Sequence, residues 1–154
     1  MNNVRVVFQI LDENKEVPIG YKFICCRMIF DVKMEDFRRK SRLVAGGHMT
    51  DTPAAIMYAS VVSRESVRLA LMLAALNALE VKCGDVMNAR ITASITEKVW
   101  TVLEAEFGAD QGKKALIVRE LYGLKFAGSD FRTQLCICMK GLGYIPCLAD
   151  PDLW

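Results

Sequence analysis

The chain has 154 residues, of which 53% are hydrophobic and 25% charged, and carries a formal net charge of +2. That length fits one domain or a piece of a larger one, and the composition excludes a disordered tail, a collagen and a disulfide miniprotein. The weakly basic balance permits nucleic acid as a partner without implying it.

Val4 to Leu11 is β-branched and apolar enough for a strand, and Asp12-Glu13-Asn14-Lys15 reads as a turn. Pro18 and Gly20 punctuate the chain before a second strand at Tyr21–Cys25. Extended runs follow at Met28–Val32 and Ser41–Ala45, the latter closed by Gly46-Gly47. These segments predict a meander of short antiparallel strands. Ser63 to Leu79 is the clearest helix, with Ser63 as N-cap and Glu65 in the first turn. Its apolar positions, Val67, Ala70, Leu71, Ala74 and Ala78, widened by Leu69, Leu73 and Leu76, predict burial on more than one side. Glu80–Val86, Val99–Leu103 and Ala115–Arg119 are further strand candidates. Phe131 to Lys140 predicts a second helix, capped by Ser129 or Asp130 and stopped by Gly141 and Gly143. Strands, helix, strands and helix without regular alternation predict an α+β fold.

No run approaches the ~20 apolar residues of a membrane helix, so no membrane partner is expected. Met1–Arg5 lacks a cationic segment followed by a long apolar core, so an intracellular place is expected, cytoplasmic with the nucleus as alternative. The six cysteines sit mostly in apolar runs and read as free thiols. Without a CxxC pair, and with His48 as the sole imidazole, no zinc site is expected.

Three segments could carry chemistry. Asp85 follows a glycine at a predicted strand end, where two-metal enzymes hang a carboxylate; spacing alone favours a turn former. Arg38-Arg39-Lys40-Ser41-Arg42 is the densest basic cluster, either a phosphate-binding hairpin or a solvated, aggregation-resisting edge. Leu121-Tyr122-Gly123-Leu124-Lys125 joins an aromatic, a flexible glycine and a cation, which suits a nucleotide surface or an ordinary turn. Asp150-Pro151-Asp152 reads as a turn rather than a metal motif.

From about residue 17 to the C-terminus, short segments resemble, in order, the reverse transcriptase of copia-type retrotransposons. They are Pro18-Ile19-Gly20-Tyr21-Lys22, Lys40-Ser41-Arg42-Leu43-Val44-Ala45-Gly46-Gly47, Tyr58–Arg68, Val81–Ala89, Glu97–Gly108, Leu121–Lys125 and Leu142–Trp154. Leu121-Tyr122-Gly123-Leu124-Lys125 matches the family segment residue for residue.

The resemblance implies a partial right-hand polymerase, fingers plus the first part of the palm, in one partial domain. Residues from about 1 to 80 would be fingers-like strands and the long helix; about 81 to 154 would be an incomplete palm with an interleaved fingers segment. It implies Asp85 as catalytic and metal-binding carboxylate, the Val86 carbonyl as second ligand and Mg²⁺ as cofactor. Lys40, Arg42, Arg90, Gly123, Leu124 and Lys125 would bind nucleotide, and Arg38 and Arg39 nucleic acid. RNA or DNA template–primer and other parts of a Pol polyprotein are the implied partners.

Departures from the pattern accompany it. The family's Tyr-x-Asp-Asp carboxylates lie downstream of the segment matched by Asp150–Trp154. Arg90 stands where the family has an aromatic. Phe126-Ala127-Gly128-Ser129-Asp130 replaces a polar residue, Ala and Pro. The expectation is a fragment of an RNA-directed DNA polymerase, catalytically incomplete alone. A non-catalytic nucleic-acid-binding remnant and a domesticated protein-interaction module are the alternatives.

Overall fold

A computed structural model describes residues 7–50 and 59–154. Val4–Val6 of the first expected strand and Tyr58 of the helix lead-in lie outside them. The strands are Phe8–Ile10 (β1), Lys22–Phe23 (β2), Cys26–Val32 (β3), Arg39–Ala45 (β4), Val99–Val102 (β5) and Lys114–Ile117 (β6). The helices are Arg64–Leu76 (α1), Ala89–Thr92 (α2) and Ala127–Gly141 (α3), with 3₁₀ turns at Gly47–Met49 and Ala105–Asp110. The mixture is α+β.

One sheet has the order β1-β6-β5-β2. β6 pairs antiparallel with β1, Phe8 opposite Ile117, and with β5, Trp100 opposite Leu116. β2 joins β5 in parallel, Lys22 opposite Val99. β3 and β4 form a separate antiparallel hairpin running from Cys26 opposite Ala45 to Val32 opposite Arg39. The expected meander is therefore corrected: of β1 to β4, only β3 and β4 pair with each other. Pairing follows burial. Phe8, Ile24, Val99, Leu103, Ala115 and Ile117 are all nearly inaccessible and share one core. Removing such side chains from water contributes roughly 1.5–3 kcal/mol each, which outweighs any local preference.

The expected strand at Glu80–Val86 does not form, and Val81 and Val86 are exposed. An extended run becomes a strand only when a neighbour takes up its N–H and C=O groups, and no described strand pairs with it. Asp85 therefore lies in an exposed irregular segment rather than at a strand end.

α1 begins where expected. The Ser63 hydroxyl accepts the Ser66 N–H at 3.0 Å, and Glu65 faces the positive end of the helix dipole. Its burial on several sides is corrected: no residue of α1 is buried, and Leu76 is 75% exposed. Its N-terminus is held instead by the Asp150 turn. Asp150 Oδ2 accepts from the Ser63 N–H at 3.0 Å and from the Ser66 hydroxyl at 2.6 Å. Asp152 accepts from Arg132 of α3 at 2.7 Å, so the turn clasps both helices.

α3 starts earlier than expected, and neither Ser129 nor Asp130 caps it. Ser129 Oγ donates to the Phe126 carbonyl, and Asp130 accepts from Thr96 through both carboxylate oxygens. The Glu97 carboxylate takes up the N–H groups of Lys125 and Phe126 at 3.1 and 3.3 Å, capping the helix from a distant segment. All six cysteines are free; Cys26 is buried, whereas Cys83, Cys138 and Cys147 are exposed, contrary to an apolar interior role. Burial pushes the Cys26 thiol up to about 11, against an opposing contact from Thr101, so it is inert at neutral pH.

Candidate functional site

Two sequence segments that look independent are locked together. The Ala45 N–H at the end of β4 donates to the Tyr122 carbonyl at 2.7 Å, and Val44 forms a parallel bridge with Tyr122. A Cβ at Gly47 would collide with the Gly123 carbonyl oxygen, and one at Gly123 with the Ala45 carbonyl oxygen. Gly123 also has φ +94°, which side chains rarely adopt. The two glycines thus let the backbones touch, and this contact fixes β4 against the Leu121–Lys125 turn.

The junction opens on a cleft of about 550 Å³. Lys40 and Arg42 line it from β4, Asp85 and Val86 from the irregular segment before α2, and Leu121 and Tyr122 from the locked segment. Phe8 and Phe107, packed edge-to-face at 5.4 Å and 82°, contribute apolar lining. Asn88, in left-handed conformation at φ +53°, turns the chain from Asp85 into α2. That turn carries Arg90 over the Tyr122 ring, 5.0 Å from its centre, while Arg42 lies 6.0 Å from the same ring. Each contact contributes about 0.5–1 kcal/mol at a partly exposed ring. Arg42 and Arg90 thus share one aromatic, and Lys40 and Arg42 line the cleft with Asp85 as the carboxylate on its wall. The surplus of cations suits an anion with an apolar or aromatic body.

The hairpin continues this charge outward. Arg39 stands opposite Val32 and Lys40 opposite Asp31. Arg38 is paired with Asp36 two residues away. Phe30, Val32 and Arg39 line a second groove of about 480 Å³ along the hairpin. Phe30 and Phe37 are each 75% exposed.

Gly123, Leu124 and Lys125 do not line the cleft. Gly123 serves the backbone contact, and Leu124 lies in the core. Lys125 is turned inward, its Nζ donating to the Thr50 carbonyl. Sequence reasoning missed the Tyr122 ring as the platform for two arginines, Glu97 as a remote cap, and Glu120. Glu120 is fully buried, with no hydrogen bond reaching either carboxylate oxygen. Burial, reinforced by the facing Asp130, pushes its carboxyl up to about 9. A charged residue beside a Leu-Tyr-Gly turn was the available signal, but it reads as surface until the fold closes over it.

Among the described residues, no group of three or more His, Cys, Asp or Glu side chains could hold a metal ion. Asp85 with the neighbouring Val86 carbonyl supplies one carboxylate, where two-metal phosphoryl transfer needs several. The residues present therefore do not fit a two-Mg²⁺ centre by themselves. Among the described residues no helix is long and apolar enough to cross a membrane.

Comparison with known proteins points to the same family. The family described as Reverse transcriptase (RNA-dependent DNA polymerase) matches residues 6–151. The Retrovirus-related Pol polyprotein from transposon TNT 1-94 of Nicotiana tabacum is 29% identical over 148 residues, covering 90% of this chain and 11% of the relative. The chain thus spans about a ninth of that polyprotein's length. No solved structure matches it. The chain belongs to the reverse transcriptase (RNA-dependent DNA polymerase) family, as a copia-type domain corresponding to part of a retrotransposon Pol polyprotein.

Proposed function

We propose that this chain forms the fingers and the first part of the palm of a right-hand polymerase, and that alone it binds nucleic acid without extending it. In this reading, residues from about 1 to 80 are the fingers-like strands and long helix. Residues from about 81 to 154 are an incomplete palm with an interleaved fingers segment. RNA or DNA template–primer is the partner, and other parts of a Pol polyprotein complete the site.

The observation that carries this reading is a cleft lined by Lys40, Arg42, Tyr122 and a lone Asp85, with Arg42 and Arg90 both over the Tyr122 ring. Cations beside an aromatic can hold phosphate while a base or sugar meets the ring. Asp85 and the Val86 carbonyl would receive one Mg²⁺, and further carboxylates from elsewhere would have to complete the pair. Arg38 and Arg39 extend the phosphate track along the hairpin.

Binding of this type releases counterions, with non-specific Kd values of roughly 10⁻⁴–10⁻⁶ M at physiological salt. Arg38→Glu with Arg39→Glu is expected to weaken binding to a labelled template–primer and to flatten its salt dependence. An unchanged affinity and slope would reduce the hairpin to a solvated edge.

The second reading, a protein-interaction module, is favoured by one feature. α1 leaves Leu69, Leu71, Met72, Leu73 and Leu76 at least half exposed, more apolar surface than a lone helix ordinarily shows. A folded wild-type chain that binds no template–primer at any salt would favour this reading.

A further inference from the structure

The segment before the locked turn hides an acid with no base. Among the described residues, the Glu120 oxygens are the only buried side-chain polar atoms that no hydrogen bond reaches. The backbone holds the residue in place: its N–H donates to the Ala93 carbonyl at 3.1 Å, and its neighbour Arg119 bridges to Ser94. The charged groups facing it come from three elements: Asp130 in the first turn of α3, Glu97 on the preceding segment and Arg90 of α2. Of these, Asp130 acts on Glu120 most strongly, while its own oxygens already accept from Thr96 at 2.7 and 3.0 Å. Glu97 is occupied by the N–H groups that open α3. Arg90, the only cation of the group, lies over Tyr122.

An ionised Glu120 would thus be a buried anion facing two carboxylates, without a donor. A neutral carboxyl has an O–H to give, and Asp130 is the facing group able to accept it.

We propose that Glu120 keeps its proton and donates it in a hydrogen bond to the Asp130 carboxylate, a proton-held clasp joining the Leu121–Lys125 turn to α3. The clasp goes beyond the polymerase reading, since it concerns only how the turn that presents Tyr122 is held. Loss of the proton replaces a hydrogen bond by two facing anions, so the clasp opens in alkali.

The direction of the pH effect follows from the shift. The free carboxyl ionises near its ordinary 4.5, whereas the folded one holds its proton to about 9. The stability it confers is complete below the lower value and is lost as pH rises through the window to the higher one. Glu120→Gln keeps the shape and supplies an N–H to Asp130 at every pH. The test is equilibrium unfolding of the full chain and of Glu120→Gln between pH 5 and pH 10. The wild-type folding constant, relative to that of the variant, is expected to fall about tenfold per pH unit up to about 9. Parallel profiles would show that Glu120 is ionised in the fold and would overturn the clasp. Should the variant fail to fold, infrared spectra of the wild-type chain decide alone. A protonated-carboxyl carbonyl band at pH 7 that vanishes by pH 10 supports the clasp; its absence at pH 7 overturns it.

Discussion

Gly123 shows how one residue decides the site. Its φ of +94° and its contact with the Ala45 carbonyl leave no room for a side chain. The turn and β4 are joined there by the hydrogen bond from Ala45 to Tyr122. Gly123→Ala must therefore adopt a disfavoured conformation and push β4 away. Forced left-handed geometry alone costs about 1–3 kcal/mol. Denaturant unfolding is expected to show at least that loss, and nucleic-acid affinity is expected to fall with it because Lys40 and Arg42 ride on β4. An unchanged midpoint would mean that the two segments are not locked. The sequence made this glycine visible as a turn former, but not its partner: nothing local says that Gly47 and Gly123 meet.

Elements whose cause is local were legible in the sequence, and those whose cause is distant were not. The β3–β4 hairpin, the Ser63 cap of α1 and the strands near Val99 and Ala115 follow from alternation, capping and β-branched runs. The start of α3 escaped because its cap is Glu97, about thirty residues away, and because Asp130 is committed to Thr96. The Glu80–Val86 run looked like a strand since it is apolar, but no described strand pairs with it. In the site, the basic cluster and Asp85 were legible as chemistry; their approach to one cleft depends on the glycine lock and on the left-handed Asn88. α1 was legible as a helix but not in its exposure, since an apolar periodic face says only that something could cover it. Leu69, Leu73 and Leu76 are 56%, 55% and 75% exposed. Replacing all three by Gln is expected to raise solubility and reduce binding of a hydrophobic dye. Stability should barely move, because exposed substitutions stay within about 0.5 kcal/mol each. Ile117→Ala, in contrast, opens the core and should cost about 2–5 kcal/mol. A large destabilisation in the Gln variant would show that α1 is packed in solution.

At the scale of the molecule, a small four-stranded sheet carries a hairpin and two helices that leave much apolar surface in water. The net stability of a domain is only about 5–15 kcal/mol, so such a chain unfolds readily and gains from whatever covers its helices. In the proposed reading its cleft has cations for phosphate and one acid for metal, which separates binding from catalysis. Primer extension by the purified chain tests that separation most directly, with template–primer, deoxynucleotides and Mg²⁺ or Mn²⁺ present at concentrations where binding is measured in parallel. Bound template–primer with no nucleotide added above background is the expected result. Template-dependent extension that disappears in Asp85→Ala would contradict it, and would mean that this chain assembles a working metal centre on its own.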